Sequence, residues 1–138
     1  MSPADFDDER RREIAEFYNE VFGWYEFTPD EPGDPMILAF DDFGQYLYLI
    51  AEEPPLRAAP MAHFGVQVDS RSELDSILGR AREYALRDPR VEVTQPVTEP
   101  QRSNRGHVTL TNCYIRYLLP VMVELQYIEF FPFEHDRR

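Results

Sequence analysis

The stretch Ala62-His63-Phe64-Gly65-Val66-Gln67-Val68-Asp69 decides the fold. Successive side chains of a strand point to opposite faces, so His63, Gly65 and Gln67 share one face and Phe64, Val66 and Val68 the other. One face is dry and suited to packing, whereas the other is polar and suited to lining a pocket. Val121-Met122-Val123-Glu124-Leu125-Gln126 reads the same way, with Met122, Glu124 and Gln126 opposite Val121, Val123 and Leu125. A histidine and a carboxylate presented in this manner can bind a metal or a polar ligand.

Around these two strands the organisation repeats. Ser2-Pro3-Ala4-Asp5 fits a capping box with proline at the first helical position, so a helix is expected to begin there. Its apolar stripe is Phe6, Ile14, Phe17, Tyr18, Val21 and Phe22, interrupted by the charged run Asp7 to Arg12, and Gly23 stops it. Three strands are expected next, at Trp24 to Phe27, Met36 to Asp41 and Gln45 to Ala51, with turn-rich sequence between them. Glu53 to Pro60 reads as a linker. After the strand at Met61 to Val68, Ser70-Arg71-Ser72-Glu73 is a second capping box. Leu74, Ile77, Leu78, Ala81, Tyr84 and Ala85 then recur at helical spacing. Strands follow at Val91 to Thr94, His107 to Leu118 and Val121 to Ile128. Each half reads as a helix and three strands, and only the second half has a strand in front. The polar stretch Gln95 to Gly106 is long for a connection and reads as a mobile lid or an ordinary surface loop.

Composition bounds the function. At 138 residues the chain is expected to be a single domain with a proper core: module one at about 1–52, a linker at 53–60, module two at about 61–130 and a tail at 131–138. No run of about 18 apolar residues predicts a membrane span. The absence of an export signal and the lone Cys113 point to a reducing cytoplasm. A net charge of −12 argues against a nucleic-acid partner; it reads as a solvated, self-repelling surface that keeps the chain in solution or as a field that draws in a cationic ligand. All 14 basic residues are arginine. Without lysine, Schiff-base catalysis and a P-loop phosphate site are excluded.

The sequence resembles the vicinal oxygen chelate superfamily, which includes glyoxalase I, bleomycin-resistance proteins, fosfomycin-resistance enzymes and extradiol dioxygenases. Phe17-Tyr18-Asn19-Glu20-Val21-Phe22-Gly23 looks like that family's first-helix ending, His63 to Asp69 like its central strand, and Val123-Glu124-Leu125 like its last; the resemblance spans roughly residues 10 to 130. It implies an α+β fold of two βαβββ modules forming a half-barrel around a small-molecule pocket, with the first strand missing here. It also places His63 and Glu124 on positions that hold a divalent metal (Zn, Ni, Mn or Fe) in metal-dependent members. The family's further ligand positions fall on Pro3 and Tyr48, which do not ligate metals in this way. Where many members have an Asp-Pro-Asp-Gly-like turn, this chain has Tyr117-Leu118-Leu119-Pro120.

Tyr48, Gln67 and Gln126 share the inward parity of His63 and Glu124 and complete the expected ligand-binding set. Glu124 lies between apolar neighbours and needs a partner: His63, Arg116, a metal or a ligand. His107 is expected at the surface, His135 in the tail and Cys113 simply buried. Two functions follow. One is a small-molecule-binding protein of the glyoxalase/bleomycin-resistance type, holding an aromatic or cationic ligand. The other is a divalent-metal-dependent lyase, isomerase, dioxygenase or thiol transferase acting on vicinal oxygens through His63 and Glu124. Exposed sheet edges and the missing strand predict a homodimer, with segments exchanged between subunits as one form of it.

Overall fold

The computed structural model describes residues 1–27, 35–40 and 44–133. The fold is α+β, with two α-helices and two open sheets of three and five strands. The chain divides into two compact units, Met1–Ala59 and Pro60–Arg138.

In the first unit, Ser2 caps only a short 3-10 turn, Pro3–Asp5, and helix α1 spans Asp8–Phe22. The expected early start is corrected by a second cap: the Asp7 carboxylate accepts from Arg10 N–H at 2.8 Å and restarts the helix. Phe6, between the two caps, is buried, with the Arg11 guanidinium 5.3 Å from its ring centre. Gly23 closes α1 at φ 76°, where the backbone needs the left-handed region. Its N–H and that of Trp24 donate to Asn19 and Tyr18 carbonyls. Ile14, Phe17, Tyr18 and Val21 are buried, and Trp24 stacks between Tyr18 and Phe40 with ring centres 5.3 and 4.2 Å away.

Strands β1 (Tyr25–Glu26), β2 (Met36–Ala39) and β3 (Tyr46–Leu49) form an antiparallel sheet in that order. No strand precedes α1 among the described residues. Met1 donates its amino group to Ile50 O at 3.1 Å, and Glu52 N–H donates to Met1 O at 2.9 Å. That is the hydrogen-bond pattern of one parallel bridge, opposite Ala51, on the edge of β3's continuation.

The second unit contains the whole βαβββ pattern. Strand β4 (His63–Gln67) leads into α2 (Arg71–Arg87), capped by Ser70. Strands β5 (Glu92–Val93), β6 (Val97–Arg102), β7 (Gly106–Arg116) and β8 (Met122–Pro132) follow. β4 lies parallel to β8, β8 antiparallel to β7, and β5 and β6 both pair with β7. From Val93 to Val97 is four steps while the partners Ile115 to Asn112 are three, so β5 and β6 are one edge strand broken by a bulge. The Thr94 hydroxyl accepts the Tyr114 N–H at 2.9 Å inside that bulge.

The stretch expected to be a lid or surface loop, Gln95 to Gly106, is therefore mostly strand. Thr98 hydrogen-bonds Thr111 across the ladder at 2.9 Å, and Pro100 is tolerated because β6 is an edge strand. Continuous pairing with β7 also carries β8 past its expected end at Ile128 to Pro132, which takes Phe131 and Pro132 out of the expected tail. Helix α2 buries Leu74, Ile77, Leu78 and Ala81 and packs on β5 and β8. Cys113, Ile115, Tyr117, Val123 and Leu125 are buried, all with the parity opposite to Glu124. No helix of the described residues is long and apolar enough to cross a membrane.

Candidate functional site

The constant register of β7 on β8 places Tyr114 directly opposite Glu124, and β4 places Gly65 on Glu124's other side. Glu124 is only 7% exposed, and an unpartnered carboxylate there would be costly. It has three partners. Oε2 lies 3.2 Å from His63 Nε2, while Oε1 accepts from Asn112 Nδ2 at 2.6 Å and from the Tyr114 hydroxyl at 3.5 Å. The Tyr114 ring meets the imidazole edge-on at 5.1 Å. Burial first, then the charge and hydrogen bond of Glu124, hold the Tyr114 hydroxyl above the usual phenol range, so it stays a donor.

His63 is oriented from behind. Its Nδ1 lies 2.7 Å from the Met61 carbonyl, an oxygen that can only accept, so Nδ1 is a donor there, and Nε2 faces the carboxylate, to which it donates when the ring carries its second proton. Arg116, one of the expected partners of Glu124, instead pairs with Glu92 and donates to Pro60 O at 3.3 Å. The correction follows from register, since Glu92 lies directly opposite Arg116.

Four of the five expected ligand-binding residues, His63, Gln67, Glu124 and Gln126, share this face of the five-stranded sheet. Gln126 lies over Gly65, where a Cβ would come within 3.0 Å of its Nε2. Tyr48 belongs to the first unit, on an exposed sheet face with Tyr46, beside a hollow of about 220 Å³ lined by Phe27, Ile37, Ala39 and Tyr46. His107 has the parity of the opposite face and meets the Phe133 ring at 5.2 Å. His135 lies outside the described residues. Cys113 is buried on the helix side, where loss of hydration pushes its thiol up to about 11. Asn112 and Tyr114 are the residues that sequence reasoning missed. Their alternation with Thr111, Cys113 and Ile115 put them on the polar face, but only the register shows that they reach Glu124.

As a metal centre the donor set is short. Nε2 and Oε2 are two adjacent donors, and the Met61 carbonyl behind Nδ1 is the kind of support that ligating histidines have. Among the described residues, however, no group of three or more His, Cys, Asp and Glu is placed to hold a metal ion. Catalytic zinc sites use three protein ligands, so this set does not fit one by itself.

No family model matches the chain, and no curated protein matches it. Solved structures do. A virulence protein from Salmonella typhimurium is similar at 17% identity and TM-score 0.54, over 82% of this chain and 83% of that one. A genomically encoded fosfomycin resistance protein from Listeria monocytogenes is similar at 13% identity and TM-score 0.54, over 92% and 88%. A lactoylglutathione lyase from Agrobacterium tumefaciens is similar at 22% identity and TM-score 0.50, over 83% and 84%. The chain has the vicinal oxygen chelate fold. At these identities the likeness is one of fold. Within this fold, the second module carries His63 and Glu124 on its first and last strands.

Proposed function

We propose that this chain binds a small molecule, aromatic or cationic, over the open face of the five-stranded sheet, with Glu124 as the anchor. One observation carries the reading: a carboxylate 7% exposed is held in place by His63, Asn112 and Tyr114 on a face where Gln67, Ile128 and Phe130 are exposed. Such a group is pre-oriented, and directional polar contacts on a mostly apolar scaffold are the pattern of ligand sites. The net charge of −12 favours a cationic ligand. A fosfomycin resistance protein and a lactoylglutathione lyase share the fold, which supports a small-molecule site without naming this one's ligand.

The test is a titration of aromatic cations such as benzamidine, followed by calorimetry and by amide NMR. Binding that shifts Tyr114, Asn112 and His63 signals and is lost in Glu124→Gln supports the reading. Saturable binding unchanged in that variant removes the anchor from Glu124.

A second reading, a divalent-metal-dependent enzyme acting on vicinal oxygens, is supported by the Nδ1 contact with Met61 O, which aims Nε2 at Oε2. It requires a third donor from outside the described set. Titration with Zn, Ni, Mn or Fe(II) decides it: stoichiometric binding abolished by His63→Ala favours this reading.

We also propose a homodimer. The edge of β3, at Tyr46 and Tyr48, is unpaired among the described residues, and such an edge is a template for another chain. Sedimentation at high concentration tests it, and a monomer throughout would end the proposal.

A further inference from the structure

The face that carries Glu124 is laid out in rows by the unbroken registers of β4, β8, β7 and β6. The first row is Gly65, Glu124 and Tyr114, with the His63 ring reaching in from the position before. The second is Gln67, Gln126, Asn112 and Val97: three carboxamides side by side. The third is Ile128, Leu110 and Glu99, and the fourth is Phe130, Val108 and Gln101. Side chains on one face of a strand repeat every two residues, so successive rows are about 6.8 Å apart and the first and fourth about 20 Å. Along β7 and β8 polarity falls in one direction, from acid and imidazole through neutral amides to aliphatic and aromatic side chains, with Glu99 and Gln101 of the edge strand β6 flanking the apolar end. Ile128 is 38% and Phe130 50% exposed, so the apolar end is open.

Resting on the reading of Glu124 as the anchor, we propose that the ligand is an elongated amphipathic molecule. Its head is cationic and meets Glu124, its middle carries an amide or hydroxyl group, and its apolar tail lies over Ile128 and Phe130. Each segment is set by the chemistry beneath it. The carboxylate complements a positive charge. The carboxamides carry no net charge and offer donors and acceptors together, so they suit a group that does the same. Gly65 contributes by leaving space for the Gln126 amide, which lies where a Cβ would otherwise stand. Ile128 and Phe130 offer only apolar surface, whose burial is favourable for a hydrocarbon or aromatic tail. The continuity of this strip with the anchor favours a small molecule over a second copy of the chain as its occupant.

Three probes test the order of the rows: butylguanidine (head), N-acetylagmatine (head and amide) and N-octanoylagmatine (head, amide and tail). Four carbons between guanidinium and amide match the spacing of the first two rows. The expected result is a rise in affinity along the series, with the octanoyl chain adding about tenfold or more. Phe130→Ser should remove most of the octanoyl gain and leave butylguanidine unchanged. Gln126→Ala should weaken both acylated probes and spare butylguanidine. An octanoyl gain that survives in Phe130→Ser overturns the proposal. If no butylguanidine binds, the anchor reading fails, and N-octylacetamide, which has no head, then tests the strip separately. Shifts at Ile128, Phe130 and Gln126 support the apolar and amide rows, and their absence overturns them. If Phe130→Ser instead turns a dimer into a monomer with every probe affinity unchanged, a second copy covers the strip and the proposal is wrong.

Discussion

The Asn112 amide donates to the Glu124 carboxylate across 2.6 Å, from one strand to the next, while His63 holds the other carboxylate oxygen. The polar site is thus braced within its own sheet. Asn112→Ala leaves Oε1 with only the 3.5 Å contact to Tyr114, and the expected loss is about 1–3 kcal/mol, the usual cost of a buried acceptor losing its partner. Asn112→Asp should cost more, because it sets one carboxylate against another. Its penalty should shrink in acid, where a proton can be shared between them. Urea midpoints at pH 7 and pH 4 measure both variants; equal midpoints for wild type and Asn112→Ala would show that the contact contributes nothing.

A second network secures the end of α2. Asp88 accepts from Arg90 Nη2 and from the Tyr117 hydroxyl, each at 2.7 Å, and Arg90 also reaches that hydroxyl at 3.0 Å. The Arg90 guanidinium is the main cause of Asp88 lying well below the usual carboxylate range; Tyr117 adds to it. A carboxylate depressed in the folded state stabilises above its unfolded value of about 3.9, and that contribution is lost as pH falls toward the folded value. Asp88→Asn should therefore cost about 1.5–3 kcal/mol at pH 7, with the gap to wild type narrowing from pH 4 downward. Burial, and then the bond to Asp88, push the Tyr117 hydroxyl above the usual phenol range, so stability should also fall as pH rises past about 10. Tyr117→Phe should remove that alkaline loss. Chemical denaturation from pH 2 to 11 checks both arms.

Cys113 is fully buried on the helix side of β7, and burial pushes its thiol up to about 11. Thiolate is the reactive form, so the native protein should resist thiol reagents at neutral pH and react in full when unfolded in urea. Cys113→Ser should cost about 1–3 kcal/mol because the hydroxyl would be buried without an assured partner. Rapid native labelling would contradict the placement.

Parity made the second module legible. The alternation at His63 to Val68 and Val121 to Gln126 assigned the correct face to every residue, because the period of a strand leaves only two choices. Register was not legible. Nothing in the spacing shows that Tyr114 faces Glu124, since this depends on the turn at residues 117–121, where Leu118 takes φ 59°. Gln95 to Gly106 misled because a solvated edge strand carries polar residues on both faces and so lacks the alternation of a half-buried one. The early helix start misled because the Ser2 cap is real but holds a single turn; only the Asp7 hydrogen bond shows the restart. No strand precedes α1 among the described residues, and the bridge of Met1 to Ile50 and Glu52 involves backbone alone and leaves no trace in residue type.

Two glycines of the second unit should respond differently to the same substitution. At Gly106 an added Cβ would fall 2.3 Å from the Phe131 carbonyl oxygen and 2.8 Å from Pro132 Cα, both backbone atoms of the paired strand β8. They cannot yield without opening the end of the β7–β8 ladder. At Gly65 the nearest atoms belong to the Gln126 side chain, whose amide can swing away. Gly106→Ala is therefore expected to cost roughly 1–3 kcal/mol or more through overpacking, and Gly65→Ala well under that. The functional order should be reversed: Gly65→Ala should weaken probes that carry an amide by moving Gln126, whereas any folded Gly106→Ala protein should keep its Glu124 anchor. Thermal unfolding together with titration of N-acetylagmatine separates the two effects. Equal stability losses at the two positions would mean that the end of the ladder gives way as readily as one flexible side chain.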